Sequence, residues 1–115
     1  MLYNIPVDVF TALADPTRRK ILEMLANRGP LTATDIYAQF PVSPPAISQH
    51  LKILREAKLV QVEKRAQKRI YRINPEAMLD LEDWAKHMAQ LWHQRFNALD
   101  QLLETEKKKS KGESK

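Results

Sequence analysis

The side chains with the clearest chemical potential lie between Ser43 and Arg69. Ser48, Gln49 and Lys52 recur on one side of the stretch "SPPAISQHLK" (43–52), and a second group, Lys64, Arg65, Lys68 and Arg69, follows within twenty residues. A hydroxyl, a bidentate amide and a cation are the groups that read base edges and grip phosphates in a DNA groove. Four clustered cations suit a flanking backbone or a minor groove. Catalysis has no comparable signature. Gly29 and Gly112 are the only glycines, so no glycine-rich phosphate loop exists, and no nucleophile motif stands beside His50, His87 or His93. The reading is of a non-enzyme with no cofactor.

Charge distribution points the same way. The 115 residues carry a net charge of +5. Residues 1–41 are neutral, with four acids and four bases, while residues 42–73 hold eight bases against Glu56 and Glu63, net +6. Residues 74–104 are net −4, and the lysine-rich end from Thr105 is net +3. One basic block in a neutral or acidic frame is the footprint of a site for a polyanion. With no cysteine in the chain, disulfides, thiolate metal sites and cysteine catalysis are excluded. Asp83 and His87, four residues apart, could supply two ligands to a metal, but His93 points about 120° away from His87 on a helix. No metal is therefore expected. No basic leader with a long apolar run opens the chain, and no stretch approaches the ~20 apolar residues of a membrane span. A cytoplasmic protein without membrane contact is expected.

The elements that must position these residues can be read from punctuation and periodicity. "VDVFTAL" (7–13) is a short helix ending at Asp15-Pro16. In "DPTRRKILEMLANRG", Asp15 caps, Pro16 suits the first helical position and Gly29 the residue past the last turn. Ile21, Leu22 and Leu25 make its inward stripe, and Thr32 with Asp35 resembles a capping box for the next helix, which turns Ile36 and Phe40 inward. After the turn "PVSPP" a helix is predicted over about 44–57, with Ser43 as its cap. Its core direction is set by Ile47, Leu51 and Leu54; Pro45, Gln49 and Lys52 point away, with Ser48 on a flank and His50 only about 60° from the core axis. "LVQV" and "IYRI" flank the basic tip "EKRAQKR" as a β-hairpin, and Asn74 caps a helix over about 75–104, roughly 45 Å long. The last segment, "TEKKKSKGESK" (105–115), reads as a disordered lysine-rich tail, leaving residues 1–104 as one domain.

The combination "LADPTRRKILEML", "VSPPAISQHLKILREAKLV", "KRAQKRIYRINPEA" and a downstream helix with Trp84 and Trp92 resembles the ArsR-type winged helix-turn-helix repressors. The resemblance covers nearly all of residues 5–104 and is nearest to the small members without metal-binding cysteines. It implies a mainly α fold with a small β-hairpin wing and a homodimeric regulator of double-stranded DNA that binds an inverted repeat. It further implies a recognition helix at 44–57, a scaffold helix at 33–40 and a wing at 61–72. Helix contacts then fall to Ser43, Pro45, Ser48, Gln49, His50 and Lys52, and wing contacts to Lys64, Arg65, Lys68 and Arg69. The scaffold region reads "TDIYAQF" where metal-sensing members carry cysteines, so another trigger, or none, is implied. Ala66 stands where many members have a wing-tip glycine, which predicts a longer or differently shaped turn.

Trp84, Met88, Trp92, Phe96 and Leu99 share one stripe of the last helix, more apolar face than a small domain covers, and Val9 and Phe10 offer a co-packing surface. These seven residues are the predicted dimer interface. A winged-helix module that docks proteins instead of DNA would show an apolar patch on the second helix, where this chain shows Pro45, Gln49 and Lys52. A regulator gated by metal or ligand through a non-cysteine site would change its DNA affinity with that ligand.

Overall fold

In the computed structural model, which describes residue 5 and residues 7–113, the chain forms five helices and a three-stranded sheet. The order is α1 (Val7–Leu13), α2 (Pro16–Arg28), β1 (Leu31–Thr32), α3 (Ala33–Tyr37), α4 (Pro44–Glu56), β2 (Val60–Arg65), β3 (Lys68–Ile73) and α5 (Pro75–Glu113). The mainly α fold with a hairpin wing is thus present. Residues up to Leu81 form one compact unit, and Glu82 onward forms a second.

Local chemistry accounts for most helix ends. The Asp15 carboxylate accepts the Arg18 amide at 3.0 Å, and Pro16 fills a first-turn position. At the other end Gly29 has φ 82°, and its N–H closes on the Leu25 carbonyl at 2.9 Å. The Thr32–Asp35 capping box is complete: the Thr32 hydroxyl accepts the Asp35 amide at 3.1 Å and the Asp35 carboxylate accepts the Thr32 amide at 3.2 Å. Even so, α3 stops at Tyr37, short of the expected Phe40.

Ser43 is the N-cap of α4, but its side chain makes no capping bond. The prolines are the reason. A cap hydroxyl normally accepts from the second or third helical amide. Pro45 has no N–H at the second position. The third amide, that of Ala46, is satisfied by the Ser43 carbonyl at 3.0 Å.

At its far end α4 closes in a Schellman motif. The Leu59 amide donates to Leu54 at 3.0 Å and the Lys58 amide to Arg55 at 3.0 Å. This requires Lys58 to take φ 62°, a position that favours glycine. Asn74 then locks the corner, donating through Nδ2 to the Lys58 carbonyl at 2.9 Å and through its own amide to Leu59 at 3.0 Å. Its Oδ1 accepts the Glu76 amide at 3.2 Å, so the same side chain starts α5 as expected.

The core is the set of inward faces that periodicity defines. Ile21, Leu22 and Leu25 of α2, Ile36 of α3, and Ile47, Leu51 and Leu54 of α4 are buried with Leu59, Val60 and Tyr71. Full burial of each large aliphatic is worth about 1.5–3 kcal/mol. Val9 and Ala12 of α1 belong to this core, with Val9 only 3% exposed. Val9 is therefore corrected from a dimer-interface residue to an internal one; Phe10, its neighbour, is 42% exposed.

The sheet order is β1-β3-β2, all antiparallel. β1 is not predictable from sequence, because two residues, Leu31 and Thr32, carry no alternation; they pair with Tyr71 and Ile70. Arg65 pairs with Lys68, so the wing turns in two residues, Ala66 and Gln67, and Ala66 takes φ 55°. The expected longer turn is corrected: alanine accepts the left-handed conformation that glycine would hold without strain. The last helix is also longer than the expected end near residue 104. Helix α5 runs to Glu113, because no proline or glycine interrupts residues 76–111 and its polar end is rich in helix-forming Glu and Lys.

A non-glycine residue in the left-handed region costs about 1–2 kcal/mol, of which the greater freedom of unfolded glycine returns about half. Lys58→Gly is expected to stabilise the protein by about 0.5–1 kcal/mol in urea denaturation. An unchanged or lower midpoint would show that the α4–β2 corner holds no strain.

Candidate nucleic-acid interface

The exposed side of α4 follows from its buried side. With Ile47, Leu51 and Leu54 turned into the core, Pro45, Ser48, Gln49 and Lys52 are all exposed. They line a groove of about 270 Å³ together with Arg55, Arg69 and Tyr71. The structure thus joins four of the helix residues singled out in the sequence to one of the wing residues. It adds Arg55 and Tyr71, which sequence reasoning missed. Arg55 lies about 80° around α4 from Ile47, and that angle was available from the sequence. The place of Tyr71 beside Gln49 was not, because it depends on how the sheet docks.

Strand alternation divides the four wing cations between the two faces of the hairpin. Lys64 stands opposite Arg69, and Arg65 opposite Lys68. Successive residues point to opposite faces, so Lys64 and Arg69 share the face of Tyr71, while Arg65 and Lys68 take the other. On that second face Arg65 donates through Nε to Glu63 at 3.2 Å. Lys68 lines another groove, of about 430 Å³, with Thr34, Asp35, Tyr37 and Arg69. The Asp35 carboxyl is held below its ordinary value, foremost by the Thr32 hydroxyl and amide, with Lys68 adding to the effect.

His50 is not part of either groove. Its Nδ1 lies 3.2 Å from Arg18 Nη1 and 3.9 Å from the Asp15 carboxylate. Guanidinium donates and never accepts, so Nδ1 accepts from Arg18 and the ring proton resides on Nε2. The residue expected as a helix contact is therefore engaged between α4 and α2. Arg18 also donates to the carbonyls of Ala12 at 2.8 Å and Thr11 at 3.2 Å, closing the end of α1. One arginine thus ties three helices, a role its place in "DPTRRK" does not disclose. Ser43 is exposed at the entrance of α4 and lines neither groove.

The second unit carries the other predicted surface. Met88, Trp92, Phe96 and Leu99 are exposed, Trp92 by 66%, and Trp84 is half-buried. Leu91, Leu102 and Leu103 extend the same face. Among the described residues no group of three or more His, Cys, Asp or Glu is placed to hold a metal ion, and no helix is long and apolar enough to cross a membrane.

A helix-turn-helix with an apolar inner face, a polar and cationic outer face and a basic hairpin beside it is an arrangement shared with known regulators. Residues 15–62 match the family described as bacterial regulatory protein, arsR family. An HTH-type transcriptional regulator of Mycobacterium tuberculosis is 36% identical over 104 residues, covering 90% of this chain and 94% of that protein. This chain belongs to the arsR family. The transcriptional repressor SdpR of Bacillus subtilis is 42% identical over 77 residues, 67% of this chain and 84% of its own. Among solved structures, an ArsR-like transcriptional regulator from Rhodococcus superimposes with a TM-score of 0.75 at 31% identity, over 85% of this chain and 89% of that one. The protein is accordingly a DNA-binding transcriptional regulator and not an enzyme.

Asp15 provides a pH test of the α2–α4 junction. Its carboxyl is held below the ordinary 3.8, first by the Arg18 amide and further by the neighbouring His50 and Arg18 side chains, against partial burial. A lowered folded value means that the carboxylate favours folding at neutral pH. This contribution disappears as pH falls through the folded value. Asp15→Ala is expected to lower the thermal midpoint at pH 7, with the gap to wild type narrowing below about pH 4. A gap that is constant with pH would remove the ionised carboxylate from the junction.

Proposed function

We propose that the protein is a homodimeric repressor acting on an inverted-repeat operator in the cytoplasm. Helix α4 enters the major groove and the wing meets the flanking backbone or minor groove. The observation that carries this reading is the groove in which Ser48, Gln49 and Lys52 of α4 meet Arg69 of the wing. Gln49 is the base reader, since its amide can donate and accept at one adenine edge. Ser48 and Lys52 position the helix, and Pro45 shapes its entrance. Lys64, Lys68 and Arg69 neutralise phosphates; Arg65 contributes less, being shared with Glu63. His50 acts from behind, orienting α4 through Arg18, and Ser43 sits at the edge of the contact.

Dimerisation is supported by the apolar face of α5. From Leu91 to Phe96, by way of Leu102, Met88, Leu99, Trp92 and Leu103, that face spans about 140° of the helix. A two-stranded seam is narrower than this, so more than one partner helix is needed. The partner's α5 and an α1 bearing exposed Phe10 supply them. A twofold dimer of this kind sets two α4 helices about one DNA turn apart. The repressor role is the one named for relatives: SdpR, and an arsenical resistance operon repressor of Escherichia coli, 36% identical over 75 residues.

Selection of DNA fragments by the purified protein is expected to return a pseudo-palindrome whose affinity falls steeply with salt. Gln49→Ala should cost about 1–3 kcal/mol at the operator and relax discrimination at one base position. Lys68→Ala should weaken all sequences alike and lower the salt slope by about 1. Identical behaviour of the two variants would refute the division between reader and wing. Trp92→Glu should shift the protein to a monomer in sedimentation and reduce operator affinity at least about tenfold. A Trp92→Glu dimer with full affinity would place the interface elsewhere.

A further inference from the structure

The exposed side of α4 has two parts of different chemistry. From Ser48 onward its exposed positions are all polar or charged: Ser48, Gln49, Lys52, Arg55 and Glu56. Before that, Pro44, Pro45 and Ala46 are exposed and apolar. Pro41 and Val42 extend the same surface backward, with Ser43 the one polar residue in the stretch. Val42 is 48% exposed. A residue at its place ordinarily packs on the fourth helical residue, but that residue is Ile47, which is wholly taken up by the core. The backbone of this entrance is equally inert. Pro44 and Pro45 have no N–H, and the amides of Ala46 and Ile47 both donate to the Ser43 carbonyl, at 3.0 and 3.2 Å. Positions 44–47 thus hold no free donor for a phosphate, the usual ligand of a helix start. What they offer a partner is apolar contact.

We propose that Val42, Pro45 and Ala46 read the C5-methyl groups of thymines beside the adenine taken by Gln49. Pro45 lines the same groove as Gln49 and Lys52. It stands four residues before Gln49, and Ala46 stands three before. Helical side chains lean toward the N-terminus over those positions, so the reading amide is flanked by apolar surface. In the major groove thymine is the base that presents a methyl group, and every adenine is paired with one. An amide for adenine set against an apolar surface therefore suits a run of A·T pairs. Four residues of helix rise about 6 Å, close to two base-pair steps of about 3.4 Å, which sets the methyl groups within about two pairs of that adenine. The occupant is DNA rather than an apolar protein surface, because Lys52, Arg55 and Arg69 line the groove that Pro45 enters. The inference rests on the operator reading and adds to it which bases the entrance of α4 selects.

The test uses the full chain and its selected operator, with thymines replaced one at a time by deoxyuridine, which lacks only the methyl group. The base read by Gln49 is the position at which Gln49→Ala loses discrimination. Uridine within about two pairs of it is expected to weaken wild-type binding roughly fourfold in each half-site, the value of one buried methyl group. The salt slope should not change, because no phosphate contact is lost. Uridine elsewhere should have no such effect. Val42→Ala and Pro45→Ala, with thermal midpoints confirming folding, should each weaken binding of the thymine operator severalfold and leave unrelated DNA bound as before. In the double variant, where Ala46 alone remains, the uridine penalty should fall below about twofold. Comparing thymine with uridine in one variant cancels any contact made by the amide that Pro45→Ala restores. A uridine penalty that persists in full in the folded double variant assigns the effect to DNA shape and overturns the proposal. So does wild-type protein indifferent to uridine, or an operator with no thymine near the Gln49 base. In either case, discrimination lost in Gln49→Ala leaves the operator reading intact. Wild-type protein without sequence-specific DNA binding overturns both and leaves the apolar entrance to a protein partner.

Discussion

Burial of Ile47, Leu51 and Leu54 is the constraint on which the interface depends. These three side chains are at most 1% exposed, and together they hold about 5–9 kcal/mol of transfer free energy. Rotation of α4 by one residue position, about 100°, would remove them from the core. Gln49 and Lys52 therefore point outward because their neighbours cannot, and what α4 presents to a partner is the complement of what it buries. The Schellman corner completes the restraint, since Leu59 must enter the core immediately after the helix ends.

On this rigid base the protein carries features that work against its own stability. Two like-charge pairs face each other across the wing, and Lys58 and Ala66 occupy left-handed positions. Each like-charge pair costs of order 1 kcal/mol or less, and each left-handed residue about 1–2 kcal/mol. The charged pairs make sense for a surface whose partner is a polyanion, because an anion shared among the cations replaces repulsion by attraction. For Lys58 the compensation is local: its carbonyl is held by Asn74, which also begins α5. We find no comparable compensation for Ala66.

Arg18 shows how the reading element is coupled to the rest of the molecule. Its side chain closes α1 through two carbonyls and meets His50 on α4. One guanidinium thus links α1, the helix that bears exposed Phe10, to α4.

Much of the fold was legible in the sequence because it rests on local rules. Asp15, Pro16 and Gly29 bound α2, Thr32 and Asp35 make a capping box, Asn74 starts α5, and the periodicity of α2 and α4 separates core from surface. The exposed set Pro45, Ser48, Gln49 and Lys52 follows from the same arithmetic. What only the tertiary structure decided involves pairing between distant segments. Val9 is buried because α1 lies on the core, and His50 is occupied because Arg18, thirty-two residues away, reaches it. The wing cations are sorted by strand register into a face shared with Glu63 and Asp35 and a face shared with α4. Arg55 and Arg69 meet because the sheet docks against α4, which no local pattern in either segment encodes. Residue type and spacing determine what each side chain can do; packing determines which of them face the same space.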